Sequence, residues 1–181
     1  MTIALIGYRG SGKSTVAQHL AALLGWQWCD ADALLEDRVG CSIREIFSKY
    51  GEPQFRAWEA ELLEELVQQP ATVLALGGGV VLRPENRQRL RQIATVWLVA
   101  PAEVLWERIQ RDPTTHGRRP DLTAWKGLQE VQQLLAEREP LYRACAAWTV
   151  DTTHRSPQDV AAAIARWWHE QAAPRGVHDA S

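Results

Sequence analysis

The sequence predicts an α/β fold in three layers, with a parallel sheet between two layers of helices. Three observations predict it. Short apolar runs alternate with amphipathic stretches, as strands alternate with helices in a parallel sheet. The first run, Thr2–Ile6, passes directly into a glycine-rich segment and then an amphipathic helix. No internal repeat breaks the alternation. The expectation is one domain over residues 1–170, with 171–181 as a tail.

Thr2–Ile6 reads as a buried strand closed by Gly7. Val16, Ala17, Leu20, Leu23 and Leu24 share one face of a helix over Ser14–Leu24, which Gly25 ends. Trp26–Cys29 is a second strand. Ser42 and Glu45 form a capping box ahead of Ile43, Ile46 and Phe47. Gly51-Glu52-Pro53 breaks that helix, and Pro53 starts another running to about Gln69. Thr72–Leu76 is a third strand ending in Gly77-Gly78-Gly79, and Pro84–Ile93 a short basic helix. A strand follows over Thr95–Val99 and a helix over Ala102–Gln110. Arg111–Leu122, with Pro113, Gly117 and Pro120, reads as a loop. A helix over Leu128–Glu139 stops before Pro140, Ala147–Asp151 is the fifth strand, and Pro157–His169 the last helix. Trp26, Trp28, Trp97, Trp106 and Trp148 are expected to be core or half-buried, and Trp58 to stand beside the site.

Twenty basic against 22 acidic residues leave a net charge of −2, so no global field favours nucleic acid or an anionic membrane. No run reaches the roughly 18 apolar residues of a membrane span. Cys29, Cys41 and Cys145 have no metal-ligand or redox spacing and read as reduced thiols, with Cys29 the one placed where it would be redox-sensitive. No signal peptide is recognisable, so a cytoplasmic protein is expected.

In sheets of this kind ligands bind at the carboxyl ends of the strands. Gly7-Tyr-Arg-Gly-Ser-Gly-Lys13-Ser14 stands at the first of those ends and fits G-x-x-x-x-G-K-[ST]. Gly7, Gly10 and Gly12 let backbone N–H groups converge on one anion, and the following helix adds its positive N-terminus. Lys13 reaches the β- and γ-phosphates, and the Ser14 hydroxyl suits Mg2+. Nucleotide binding follows; the acceptor does not, because motors, GTPases and metabolite kinases share the motif. An N-K-x-D sequence is missing and glycines replace an Asp after the third strand, which favours a small-molecule kinase.

Asp30 and Asp32 follow the second strand two residues apart, which on extended backbone points both carboxylates to one side. One suits a magnesium-bound water and the other a hydroxyl to be oriented or deprotonated; a helix N-cap pair is the plain alternative. Arg56 lies in the first turn of its helix, where pairing with Glu52 or Glu59 is the plain reading. Gly77-Gly78-Gly79 suits close approach of backbone to a ligand or a tight turn.

Together with Arg119-Pro120, Arg138-Glu139-Pro140-Leu141-Tyr142 and Val150-Asp151-Thr152 leading to Arg155-Ser156-Pro157, these segments resemble the shikimate kinase family in order, over about residues 3–168. The resemblance implies a nucleoside-monophosphate-kinase-like P-loop fold with a lid loop and a five-stranded sheet of order 2-3-1-4-5. It implies transfer of phosphate from ATP to the shikimate 3-hydroxyl, with Mg2+, in a monomer. By it, Gly10, Ser11, Gly12, Lys13, Ser14 and Thr15 hold ATP, Arg155 lies near the adenine, and Arg119 closes over the phosphates. Asp32 contacts the acceptor hydroxyls as candidate base, Arg56 and Arg138 hold the carboxylate, and Gly78 and Gly79 touch the acceptor. Ser14 and Asp30, the latter through water, serve the metal. Arginine suits this task, because its planar fork matches a carboxylate. The lid departs from the family pattern at Asp121, where a second leucine is common, and Arg118 stands ready to share the role of Arg119. A gluconate-type kinase and an inactive nucleotide-binding regulator are the competing readings.

Overall fold

The apolar runs do assemble into one parallel five-stranded sheet of order β2-β3-β1-β4-β5. The structure is a computed structural model; it describes residues 1–112 and 127–172. The strands are β1 (Thr2–Ile6), β2 (Gln27–Asp30), β3 (Thr72–Ala75), β4 (Ala94–Val99) and β5 (Trp148–Asp151). The helices are α1 (Lys13–Leu24), α2 (Ala31–Val39), α3 (Ile43–Leu66), α4 (Pro84–Leu90), α5 (Ala102–Arg111), α6 (Leu128–Cys145) and α7 (Pro157–Ala172). Strand β1 is central, with Leu5 opposite Ala75 on one side and Val96 on the other.

Because side chains alternate along a strand, β1 feeds two cores. Ile3 and Leu5 pack with Val16, Ala17 and Leu20 of α1 and Val160, Ala161 and Ile164 of α7. Ala4 and Ile6 face the other way, onto Phe55, Leu62 and Leu63 of α3 and Tyr142 and Cys145 of α6. A third cluster ties Tyr8 to Leu105 and Ile109 of α5 and Val131 and Leu134 of α6. All three meet at the carboxyl end of β1, which fixes the loop that leaves it.

Helix α2 is absent from the sequence reading: Asp30 is extended as expected, at the end of β2, but Asp32 already lies in the first turn of α2, so the two do not share one extended segment. Asp30 is the N-cap: its carboxylate accepts from the amides of Asp32 and Ala33. Leu35 is the one buried residue of α2, so its apolar periodicity is faint. Helix α6 passes through Pro140 to Cys145 instead of stopping. Pro140 and Ala136, whose carbonyl loses its helical partner, are both exposed, so water can satisfy that carbonyl. The gain is Tyr142, fully buried and stacked on Trp97. The break in α3 is where the sequence put it, at Gly51, with φ 79°. Trp28 is 41% exposed, at the open end of the core-or-half-buried expectation. Trp58 packs on Tyr50 and lines an outer groove with Leu35 and Leu62, away from the phosphate loop.

No helix of the described residues is long and apolar enough to cross a membrane. Burial, reinforced by the Asp30 carboxylate, pushes the Cys29 thiol up against the opposing pull of Arg38. A raised thiol pKa means less thiolate at neutral pH, so alkylation of Cys29 at pH 7.5 should be slower than that of free cysteine and accelerate as pH rises. Peptide mapping after iodoacetamide checks this; labelling as fast as the free thiol would restore the redox-sensitive reading.

Candidate active site

The loop between β1 and α1 has the backbone that an anion site needs. Gly10 holds φ 80°, and a Cβ there would lie 2.8 Å from the Leu105 carbonyl oxygen. Gly12, at φ 88°, caps α1 without any side-chain hydrogen bond, which leaves the first amides of α1 to an external acceptor. Lys13 Nζ donates to the carbonyls of Gly7 and Tyr8, each at 2.9 Å, so its ammonium lies across the mouth of the loop. Ser11 is 1% exposed, and its amide bonds the Tyr8 carbonyl.

Ser14 in the first turn of α1 donates its hydroxyl to Asp30 Oδ2 at 2.5 Å. The second oxygen of Asp30 caps α2, so one carboxylate joins the loop helix to the end of β2. Two hard oxygen donors side by side next to a phosphate loop suit Mg2+, which keeps several waters and binds through one or two protein oxygens plus phosphates. Among the described residues no group of three or more His, Cys, Asp or Glu is placed to hold a metal ion. Asp32, in the first turn of α2, lies along the same cleft as Lys13.

Arg56 is 6% exposed and pairs with Glu59 at 2.8 Å and Glu52 at 3.1 Å, so the pairing foreseen from helical spacing holds on a buried side chain. Its guanidinium lies where a Cβ of Gly79 would be, which explains a glycine there. Arg138, 5% exposed, stands 5.8 Å from the centroid of the Tyr8 ring, and Arg9 stands at the same distance. Tyr142 Oη donates to the Gly78 carbonyl at 2.5 Å, which ties α6 to the glycine turn after β3.

These groups surround one open cleft of about 610 Å³. Of the expected residues, Gly10, Gly12, Lys13, Ser14, Thr15, Asp30, Asp32 and Gly78 line it. Ser11, Gly79, Arg56 and Arg138 do not line it; Arg56 packs against Gly79, next to the lining Gly78. Arg155 is exposed and donates to the Asp159 carbonyl, off the wall. Arg119, with Arg118, lies outside the described residues. Sequence reasoning missed Arg9, Trp28 and Arg108 on the wall. Arg108 fastens the loop after β5 by donating to the Thr152 hydroxyl at 3.0 Å and its carbonyl at 2.6 Å. Its only sequence signal was a position three after buried Leu105; nothing local points to Thr152. Arg9 was hidden at a variable position inside a recognised motif.

The cleft can therefore hold a polyphosphate on amides and Lys13, and a hydroxylated acid near Asp32 and the arginines. The Shikimate kinase family model matches residues 9–169. The shikimate kinase of Rhodopirellula baltica is 44% identical over 157 residues, covering 86% of this chain and 84% of that one. That of a Synechococcus strain is 42% identical over 161 residues, 89% of this chain and 84% of the other. The solved shikimate kinase of Acinetobacter baumannii in complex with shikimate superposes with a TM-score of 0.89 at 37% identity, over 96% of this chain and 95% of its own.

Proposed function

The chain belongs to the shikimate kinase family, and on that premise we propose how its cleft works. It transfers the γ-phosphoryl group of ATP to the 3-hydroxyl of shikimate, giving shikimate 3-phosphate and ADP, a step toward chorismate and the aromatic amino acids. The observation that carries this reading is the meeting of the phosphate loop, Asp32 and the glycine turn backed by Arg56 in one cleft.

In the proposed arrangement Gly10, Ser11, Gly12, Lys13, Ser14 and Thr15 cradle the phosphates, with Lys13 leaving the Gly7 and Tyr8 carbonyls for them. Asp32 orients the acceptor hydroxyl and takes its proton as the oxygen attacks. The new bond joins that oxygen to Pγ, the bond from Pγ to the bridging oxygen breaks, and ADP leaves with the electron pair. Arg56 and Arg138 fix the carboxylate, and the backbone at Gly78 and Gly79 sets the distance. Ser14, and Asp30 through water, would hold Mg2+, which supplies charge neutralisation on the phosphates. Arg119, outside the described residues, is assigned closure over the phosphates and exclusion of water, with Arg118 able to share it, and Arg155 the adenine side.

The same reading makes residues 1–170 one domain with 171–181 as a tail, and the protein a cytoplasmic monomer that works on small molecules rather than on nucleic acid or membranes. The net charge of −2 supports the last point. A panel of shikimate, gluconate and no acceptor, followed by phosphorus and proton NMR of the product, tests the function. A phosphate ester at the shikimate 3-hydroxyl is expected; phosphorylation of gluconate alone would replace this reading.

A further inference from the structure

Arg9 occupies a variable position of the phosphate loop, yet its place is built. It lines the cleft together with Asp32, Gly77 and Gly78. Its main chain runs beside the glycine turn, since a Cβ on Gly78 would lie 3.6 Å from the Arg9 amide nitrogen. Its side chain is 21% exposed and faces Glu130 at 3.6 Å, a carboxylate only 3% exposed. Arg9 Nε is buried with no hydrogen-bond partner among the described residues. The rings and charges are shared: Arg9 and Arg138 each approach the buried Tyr8 ring at 5.8 Å.

The formal charges decide what this cluster does. Arg56 is already answered by buried Glu59 at 2.8 Å. Arg9 and Arg138 bring two positive charges, and Glu130 answers one. We propose that Arg9 is an acceptor-specificity residue: the Arg9, Arg138 and Glu130 cluster around Tyr8 carries a formal charge of +1 among the described residues, which selects an acceptor bearing a single carboxylate. Glu130 is the positioning residue, holding the Arg9 guanidinium beside the Tyr8 ring instead of letting it reach for the ATP phosphates. The inference rests on shikimate being the acceptor. It differs from the roles given to Arg56 and Arg138, because it makes the loop that grips the nucleotide also read the acid.

Two readouts test it: calorimetric binding of shikimate in the presence of Mg·ADP, and steady-state kinetics on shikimate and on its neutral carboxamide. R9Q should weaken shikimate binding and raise its KM by about 10- to 100-fold, the worth of a hydrogen bond to a charged group. The kcat and the KM for ATP should stay within about twofold. On the carboxamide R9Q should match the unaltered protein, so the preference for the acid shrinks by the same factor. The double variant R9Q/E130Q restores the formal surplus by removing the buried carboxylate that faces Arg9, so it should recover part of the lost affinity. Unchanged shikimate binding in R9Q, an equal loss on acid and amide, or no recovery in the double variant would each overturn the proposal. Binding without turnover in the unaltered protein would defeat the kinase reading while the R9Q affinity ratio still decides this one. No shikimate binding at all would defeat both.

Discussion

K13M is expected to cut kcat by at least about 10²- to 10³-fold, the scale of losing one preorganised charge at a site where negative charge develops. The loop amides will not compensate, because they position the phosphates with partial charges, whereas Lys13 brings a full one. Lys13 also fastens its own loop through the Gly7 and Tyr8 carbonyls. Its removal should therefore weaken Mg·ATP binding and lower stability by about 1–3 kcal/mol, for two bonds of ordinary net worth. K13R would keep the charge but not the fit, since a broader planar fork cannot take the place of one compact ammonium in the loop. Steady-state kinetics with a thermal melt checks both; turnover within tenfold of the unaltered protein would remove Lys13 from the chemistry.

R56M is expected to fail twice. Removing one partner of a buried pair strands the other, here Glu59, whose side chain is 8% exposed, at about 3–5 kcal/mol of stability. It also deletes the guanidinium behind Gly79, so shikimate binding should fall by about 10- to 100-fold or more. R56M/E59Q separates the two effects. With the stranded charge gone, the urea midpoint should return most of the way at unchanged slope, while shikimate binding stays lost. Return of both would mean that Arg56 serves the fold and not the acceptor.

Much of this site was legible because its motifs are local. The loop Gly7–Thr15 announces itself through spacing, and the capping box at Ser42 and Glu45 through two residues. The strands were legible because both faces of the sheet are buried, which makes continuous apolar runs such as Ile3–Ile6. What failed depended on partners far away in sequence. Helix α2 buries little, so its one strong signal was the Asp30 cap, which also served as the expectation of a metal residue. The passage of α6 through Pro140 is decided by Tyr142 reaching Gly78, 64 positions earlier. Arg108 is explained by Thr152, 44 positions later. Trp58 was expected beside the site because it stands two residues from Arg56, but residues two apart on a helix diverge by about 200°, nearly opposite faces, and Trp58 turns to Tyr50 instead. The pairing of Arg9 with Glu130 has no sequence signature at all.

The central claim is that one cleft grips a triphosphate and an organic acid together and joins them. Release of ADP from Mg·ATP, followed with and without shikimate, measures it most directly. The account predicts slow or negligible release from ATP alone and a rise that saturates with shikimate and depends on Lys13. Release that ignores shikimate, or none under either condition, would contradict it.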